Sequence, residues 1–124
     1  PSTQYFNGWL DIAELNREEF QNRMNNLDIA LTDAMFSGKL IFEDENTFNQ
    51  YKQTILEKPI SQEMIKYNKR KSNLQKEYLS GYQDDDRMTK LCLSYIASFS
   101  QNAEQLSLGY KPLTLKNIKE IYTK

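Results

Sequence analysis

The sequence predicts an all-α fold, a small four- to five-helix bundle preceded by an irregular N-terminal arm. Three observations predict it. Apolar residues recur at steps of three and four along most of the chain, the spacing that gathers them on one side of an α-helix. Valine is absent while Leu, Gln, Glu, Lys and Asn are frequent, a balance that favours helix over strand. Fifteen aromatic residues, together with a length of 124, give enough apolar material for one core and argue against disorder. Residues 1–124 therefore read as one helical domain, with 1–10 as the arm.

The elements follow in order. Pro1–Trp9 reads as the irregular arm and carries Tyr5, Phe6 and Trp9. Leu15, Phe20, Met24, Leu27, Leu31 and Met35 then form one apolar face, which predicts a first helix over 11–37. Asn16 and Glu19 stand in the positions of a capping box, and Gly38 provides a stop. Lys39–Phe42 reads as an extended connector and Glu43–Glu45 as a turn. Asn46 caps a second helix over 46–57, which carries Phe48, Tyr51 and Ile55 and must end before Pro59.

Ser61 caps a third helix over 61–80, with Ile60 as its staple and Met64, Tyr67, Leu74 and Tyr78 as its stripe. Gly81 closes it. Asp84, Asp85 and Asp86 fall where a helix N-terminus favours negative charge. They open a fourth helix over 84–107, whose stripe of Met88, Leu91, Cys92, Tyr95, Ile96 and Phe99 is the cleanest in the chain. Leu91, Cys92, Tyr95, Ile96 and Phe99 are the expected core. Pro112 and Thr114 introduce a last helix over 114–122 with Leu115, Ile118, Ile121 and Tyr122. So short a link between the third and fourth helices predicts an antiparallel hairpin.

Composition excludes a good deal of chemistry. There is no histidine and one cysteine, Cys92. A Ser-His-Asp triad, a Cys-His dyad, an imidazole-held zinc, a Cys₄ site and an internal disulfide are therefore all ruled out. Cys92, in step with Met88 and Tyr95, reads as an inert core thiol. The three consecutive aspartates fan around a helix axis instead of sharing a face, so they read as capping residues, not cation ligands. No Gly-rich phosphate loop or dinucleotide fingerprint occurs. No catalytic residue, metal or cofactor is expected.

Net charge is −1, which provides no global field for nucleic acid or an anionic membrane. Residues 1–45 carry three positive and nine negative charges, whereas residues 46–82 carry seven and three. In a bundle such asymmetry reads first as neighbouring helices complementing one another. Lys66, Lys69, Arg70 and Lys76 share much of one face of the third helix, a possible basic surface. No apolar run is long enough to span a membrane. The chain begins at Pro1 without a basic-then-apolar leader, which fits a removed leader or a fragment alike.

What remains is a chain expected to act by binding. Tyr5, Phe6 and Trp9 lie in the arm, and Tyr82 and Tyr110 lie in turns beside Gly81 and Gly109. Aromatic rings outside helical stripes offer large contact area at low entropy cost. The expected function is a non-enzymatic module that binds another protein, as an inhibitor or immunity protein, an accessory subunit or an adaptor. The alternative is a nucleic-acid-associated accessory protein that uses the basic third helix.

Overall fold

The computed structural model describes residues 2–5, 8–11, 15–38 and 44–123, with backbone alone over the first two segments. The fold is all-helical apart from a short ribbon in the arm. Ser2–Tyr5 (β1) and Gly8–Asp11 (β2) pair antiparallel, Ser2 opposite Asp11 and Tyr5 opposite Gly8. The arm is thus paired backbone there, where the sequence suggested irregular chain. Six helices follow among the described residues: α1 Arg17–Asn25, α2 Ile29–Ser37, α3 Glu45–Glu57, α4 Gln62–Ser80, α5 Asp86–Ser107 and α6 Leu115–Tyr122.

Most helix starts obey the local capping signals. Asn16 accepts the Glu19 amide at 2.7 Å, Ser61 the Met64 amide, Asp85 the Met88 amide and Thr114 the Asn117 amide. Each side chain satisfies a donor that the first helical turn leaves unpaired. At α3 the cap is Asp44 instead of Asn46, because its carboxylate accepts both the Asn46 amide and the Thr47 hydroxyl at 3.0 Å. Gly38 ends α2 where only glycine fits, since a Cβ there would lie 2.3 Å from the Ala34 carbonyl oxygen.

The helix expected over 11–37 is two helices, and α1 begins only at Arg17. α1 ends in a Schellman motif: the Leu27 amide donates to the Met24 carbonyl and the Asp28 amide to the Arg23 carbonyl. The motif needs a left-handed residue, and Leu27 supplies it at φ 49°. Asp28 then caps α2 by accepting the Leu31 amide at 3.1 Å. α5 ends in the same motif with Gly109, φ 90°, at the left-handed position.

α4 and α5 form the expected antiparallel hairpin. The Ser72 hydroxyl donates to the Ile96 carbonyl at 2.8 Å, and Asn102 Nδ2 donates to Asn68 Oδ1 at 2.9 Å. The other helices pack on the half of the hairpin away from its turn. One cluster joins Met24, Leu27, Met35, Ile55, Met64, Ile65, Ala103 and Leu106; a second joins Ile29, Phe99 and Ile118. Nothing between residues 73 and 91 is buried. Of the expected core set, Cys92 and Phe99 are buried, while Leu91, Tyr95 and Ile96 are half-buried. The stripe is real, but the flanking helices cover only part of it.

The corner at residues 26–28 is held from inside. Asn68 Nδ2 donates to the Asn26 carbonyl at 3.1 Å, and Asn102 Nδ2 to the Leu27 carbonyl at 3.0 Å. Among the described residues no buried side-chain nitrogen or oxygen lacks a partner.

Two stability measurements check this arrangement. Phe99 is 4% exposed in the second cluster, so Phe99→Ala should cost about 3–5 kcal/mol in chemical denaturation. Asn102→Ala removes the donor to the Leu27 carbonyl and to Asn68 Oδ1, and should cost about 1–3 kcal/mol. A variant as stable as the parent at Asn102 would show that the corner does not need this bridge.

Candidate functional site

Two surfaces collect the residues singled out in the sequence. The first lies where α5 gives way to α6. Gly109 turns the chain out of α5 and leaves Tyr110 64% exposed. The residues after it are firmly held. Lys111 Nζ donates to the Ile55 and Leu56 carbonyls at 3.0 and 2.9 Å, placing a cation at the C-terminal end of α3. Pro112 is buried, and its carbonyl accepts Asn117 Nδ2 at 3.0 Å. The Leu115 amide donates to Asp33 Oδ1 at 2.9 Å and ties α6 to α2. A groove of about 480 Å³ results, with Tyr110, Pro112 and Ile121 as its apolar lining and Gln105, Asn117 and Glu120 among its polar groups. Tyr122 hydrogen-bonds Glu104 and accepts from Gln105 Nε2 at 3.0 Å.

The other aromatic candidates are not gathered there. Tyr82, 38% exposed, sits in the α4–α5 turn, its carbonyl accepting the Thr89 hydroxyl and the Asp85 amide. The 22 residues of α5 separate it from Tyr110, a helix about 33 Å long. Tyr5, Phe6 and Trp9 lie outside the residues whose side chains are described. Several exposed apolar residues were not marked as surface candidates in the sequence: Leu56, Tyr78, Leu93, Leu108 and Ile121. Leu93 and Leu108 were discernible as apolar residues off the α5 stripe. Tyr78 and Ile121 carried no such signal, because both fit a stripe that their neighbours leave uncovered.

The second surface is the outer side of α4. Lys66, Lys69, Arg70 and Lys76 are all exposed on it. Among the described residues none of them forms an ion pair with the acidic first region. An ion pair lies within α1, Arg23 Nε to Glu19 Oε1 at 2.9 Å. That hydrogen bond holds the Glu19 carboxyl below its usual range, and the Lys71 charge adds to the effect. Between α1 and α4 is a recess of about 450 Å³, lined by Asn22 and Asn26 on one side and Tyr67, Arg70, Lys71 and Leu74 on the other, with Glu63.

Beneath the recess is a buried acid. Asp28 is 1% exposed and accepts the Tyr67 hydroxyl at 2.7 Å on Oδ2. Burial pushes the Tyr67 phenol far above its ordinary range, and the Asp28 charge and hydrogen bond push it further. Asp85 and Asp86 serve the start of α5, and no group of three or more His, Cys, Asp or Glu that could hold a metal occurs among the described residues. Among these residues no helix is long and apolar enough to cross a membrane. Comparison with family models, curated proteins and solved structures finds no match for the chain.

A pH profile tests the Asp28–Tyr67 pair. A phenol whose pKa is higher folded than unfolded holds its proton more tightly in the folded state. Its contribution is intact below about pH 10 and falls as pH rises past that value. Parent stability should therefore hold up to about pH 10 and fall progressively above it. Tyr67→Phe should be less stable at neutral pH by about 1–3 kcal/mol, with a flatter alkaline profile. Parallel profiles for the two proteins would contradict the assignment.

Proposed function

We propose that the chain is a non-enzymatic helical module that binds another protein, as an inhibitor or immunity protein, an accessory subunit or an adaptor, and that its contact surface is the groove at Tyr110. The observation that carries this reading is an exposed tyrosine on a rigid platform. Tyr110 is 64% exposed, yet the next two residues are fixed by the Lys111 bonds to α3 and by burial of Pro112. A ring presented from a fixed backbone loses little entropy on binding, and such residues dominate interface energies. Ile121 and Pro112 supply apolar area beside it, and Gln105, Asn117 and Glu120 supply hydrogen-bonding groups at the border.

The test is capture of native partners on immobilised parent protein, followed by affinity measurement with variants. Tyr110→Ala should weaken the complex by about 2 kcal/mol or more, roughly thirtyfold, while circular dichroism and melting stay those of the parent. Ile121→Ala should weaken it less. Full affinity in both variants would remove this groove as the contact surface.

A further inference from the structure

α4 carries five cations, Lys66, Lys69, Arg70, Lys71 and Lys76, and none forms an ion pair among the described residues. Three acids of α1 and α2 make their hydrogen bonds elsewhere, although Glu19 also senses the Lys71 charge. Glu19 binds Arg23, Asp28 accepts from Tyr67 and the Leu31 amide, and Asp33 accepts from the Leu115 amide and the Ser37 hydroxyl. Against Glu63 and Glu77, this stripe of five cations leaves α4 with a net positive charge.

The stripe is not flat where it meets α1. Lys71 Nζ stands 5.5 Å from the Tyr67 ring centroid, and Tyr67 is itself fixed by its bond to Asp28. One cation is thus positioned in advance, with the Arg70 guanidinium next to it in sequence on the same recess. Across the recess, Asn26 Nδ2 donates to Asn22 Oδ1 at 3.2 Å, so the Asn22 carboxamide is engaged through its oxygen. Two cations and two carboxamides against the one carboxylate of Glu63 leave a recess of about 450 Å³ with a net positive lining, which suits a carboxylate side chain.

We propose that this recess and the adjoining stripe dock an acidic segment of a partner protein, with one Asp or Glu carboxylate seated between Arg70 and Lys71. The proposal rests on the reading of the chain as a protein-binding module and adds the chemistry of the partner. A nucleic-acid backbone fits less well. Glu63 borders the recess and Glu77 is exposed on the same helix, so a continuous row of phosphates would meet two carboxylates. An acidic peptide can place uncharged residues opposite them.

Titration of isotope-labelled full-length protein with an oligoglutamate peptide at low ionic strength tests this, with an oligothymidylate of equal charge as the second probe. The peptide should shift the side-chain amide signals of Asn22 and Asn26 and the backbone signals of Arg70 and Lys71 saturably. Arg70→Gln with Lys71→Gln should weaken peptide binding at least about tenfold without lowering the melting temperature. Should the double variant lose stability, Arg70→Gln alone serves, since that side chain is exposed and unpaired among the described residues. Three results overturn the proposal: no saturable shift at millimolar peptide, shifts that follow Lys66, Lys69 and Lys76 but spare Asn22, or tighter binding of the oligothymidylate. Tyr110→Ala serves as a control that should leave peptide binding unchanged. Failure at the recess and failure at the Tyr110 groove are therefore separately visible.

Discussion

Two backbone carbonyls at the corner between α1 and α2 constrain the rest of the structure. The oxygens of Asn26 and Leu27 point into the protein at the end of a helix, where no further turn of helix can satisfy them. A buried carbonyl left alone costs about 1–3 kcal/mol. Asn68 from α4 and Asn102 from α5 each donate to one of them, and the two carboxamides bond each other. The neighbour of Asn68, Tyr67, secures the next residue of the corner through the Asp28 carboxylate. Three side chains from the hairpin thus fix three consecutive residues of the α1–α2 corner. Each bond runs across 34 to 75 residues of sequence, so secondary structure alone could not place them.

The corner also shows why parts of the fold were legible in the sequence and parts were not. Asn16, Ser61, Asp85 and Thr114 could be read as caps because the residue that caps is adjacent to the helix it serves. The two Schellman endings form a sharper contrast. At Gly109 the left-handed residue is the one type that adopts it freely, so the stop is written in the chain. At Leu27 the same geometry costs about 1–2 kcal/mol. Burial of the leucine side chain, worth about 1.5–3 kcal/mol, offsets it. Leu27 fits the apolar step pattern of a continuous helix, so periodicity conceals the break. The local clue was the cluster Asn25, Asn26 and Asp28, residue types that favour turns over helix interiors.

Legibility of the surfaces divides in the same way. Tyr110 was visible as an aromatic residue outside any stripe, beside a glycine. Ile121 was not, because α6 has only eight residues and Ile118 takes the buried position. The reading of α4 as the electrostatic complement of the acidic first region is met in part: Glu19 of α1 senses the Lys71 charge, but no ion pair joins the two helices among the described residues. Glu19, Asp28 and Asp33 make their hydrogen bonds within α1, as a cap, and to α6.

Burial is unevenly distributed along the α4–α5 hairpin, and this separates the exposed tyrosines into two kinds. From residue 73 to 91 no side chain is buried, and the end that carries Tyr78 and Tyr82 includes turn bonds such as Thr89 to the Tyr82 carbonyl. Segments with few buried apolar contacts open locally at low free-energy cost. A ring on such a segment must lose mobility when a partner binds, and that loss subtracts from the contact energy. Tyr110 is placed differently. Its segment is joined to α3 through Lys111 and lies beside Pro112 and Leu106, both buried. The α1–α4 recess likewise sits directly over Tyr67 and Asn68, the most tightly bonded part of α4. Both surfaces therefore stand on the half of the protein where the ordering entropy was already spent in folding, which is the condition for few contacts to yield a specific complex.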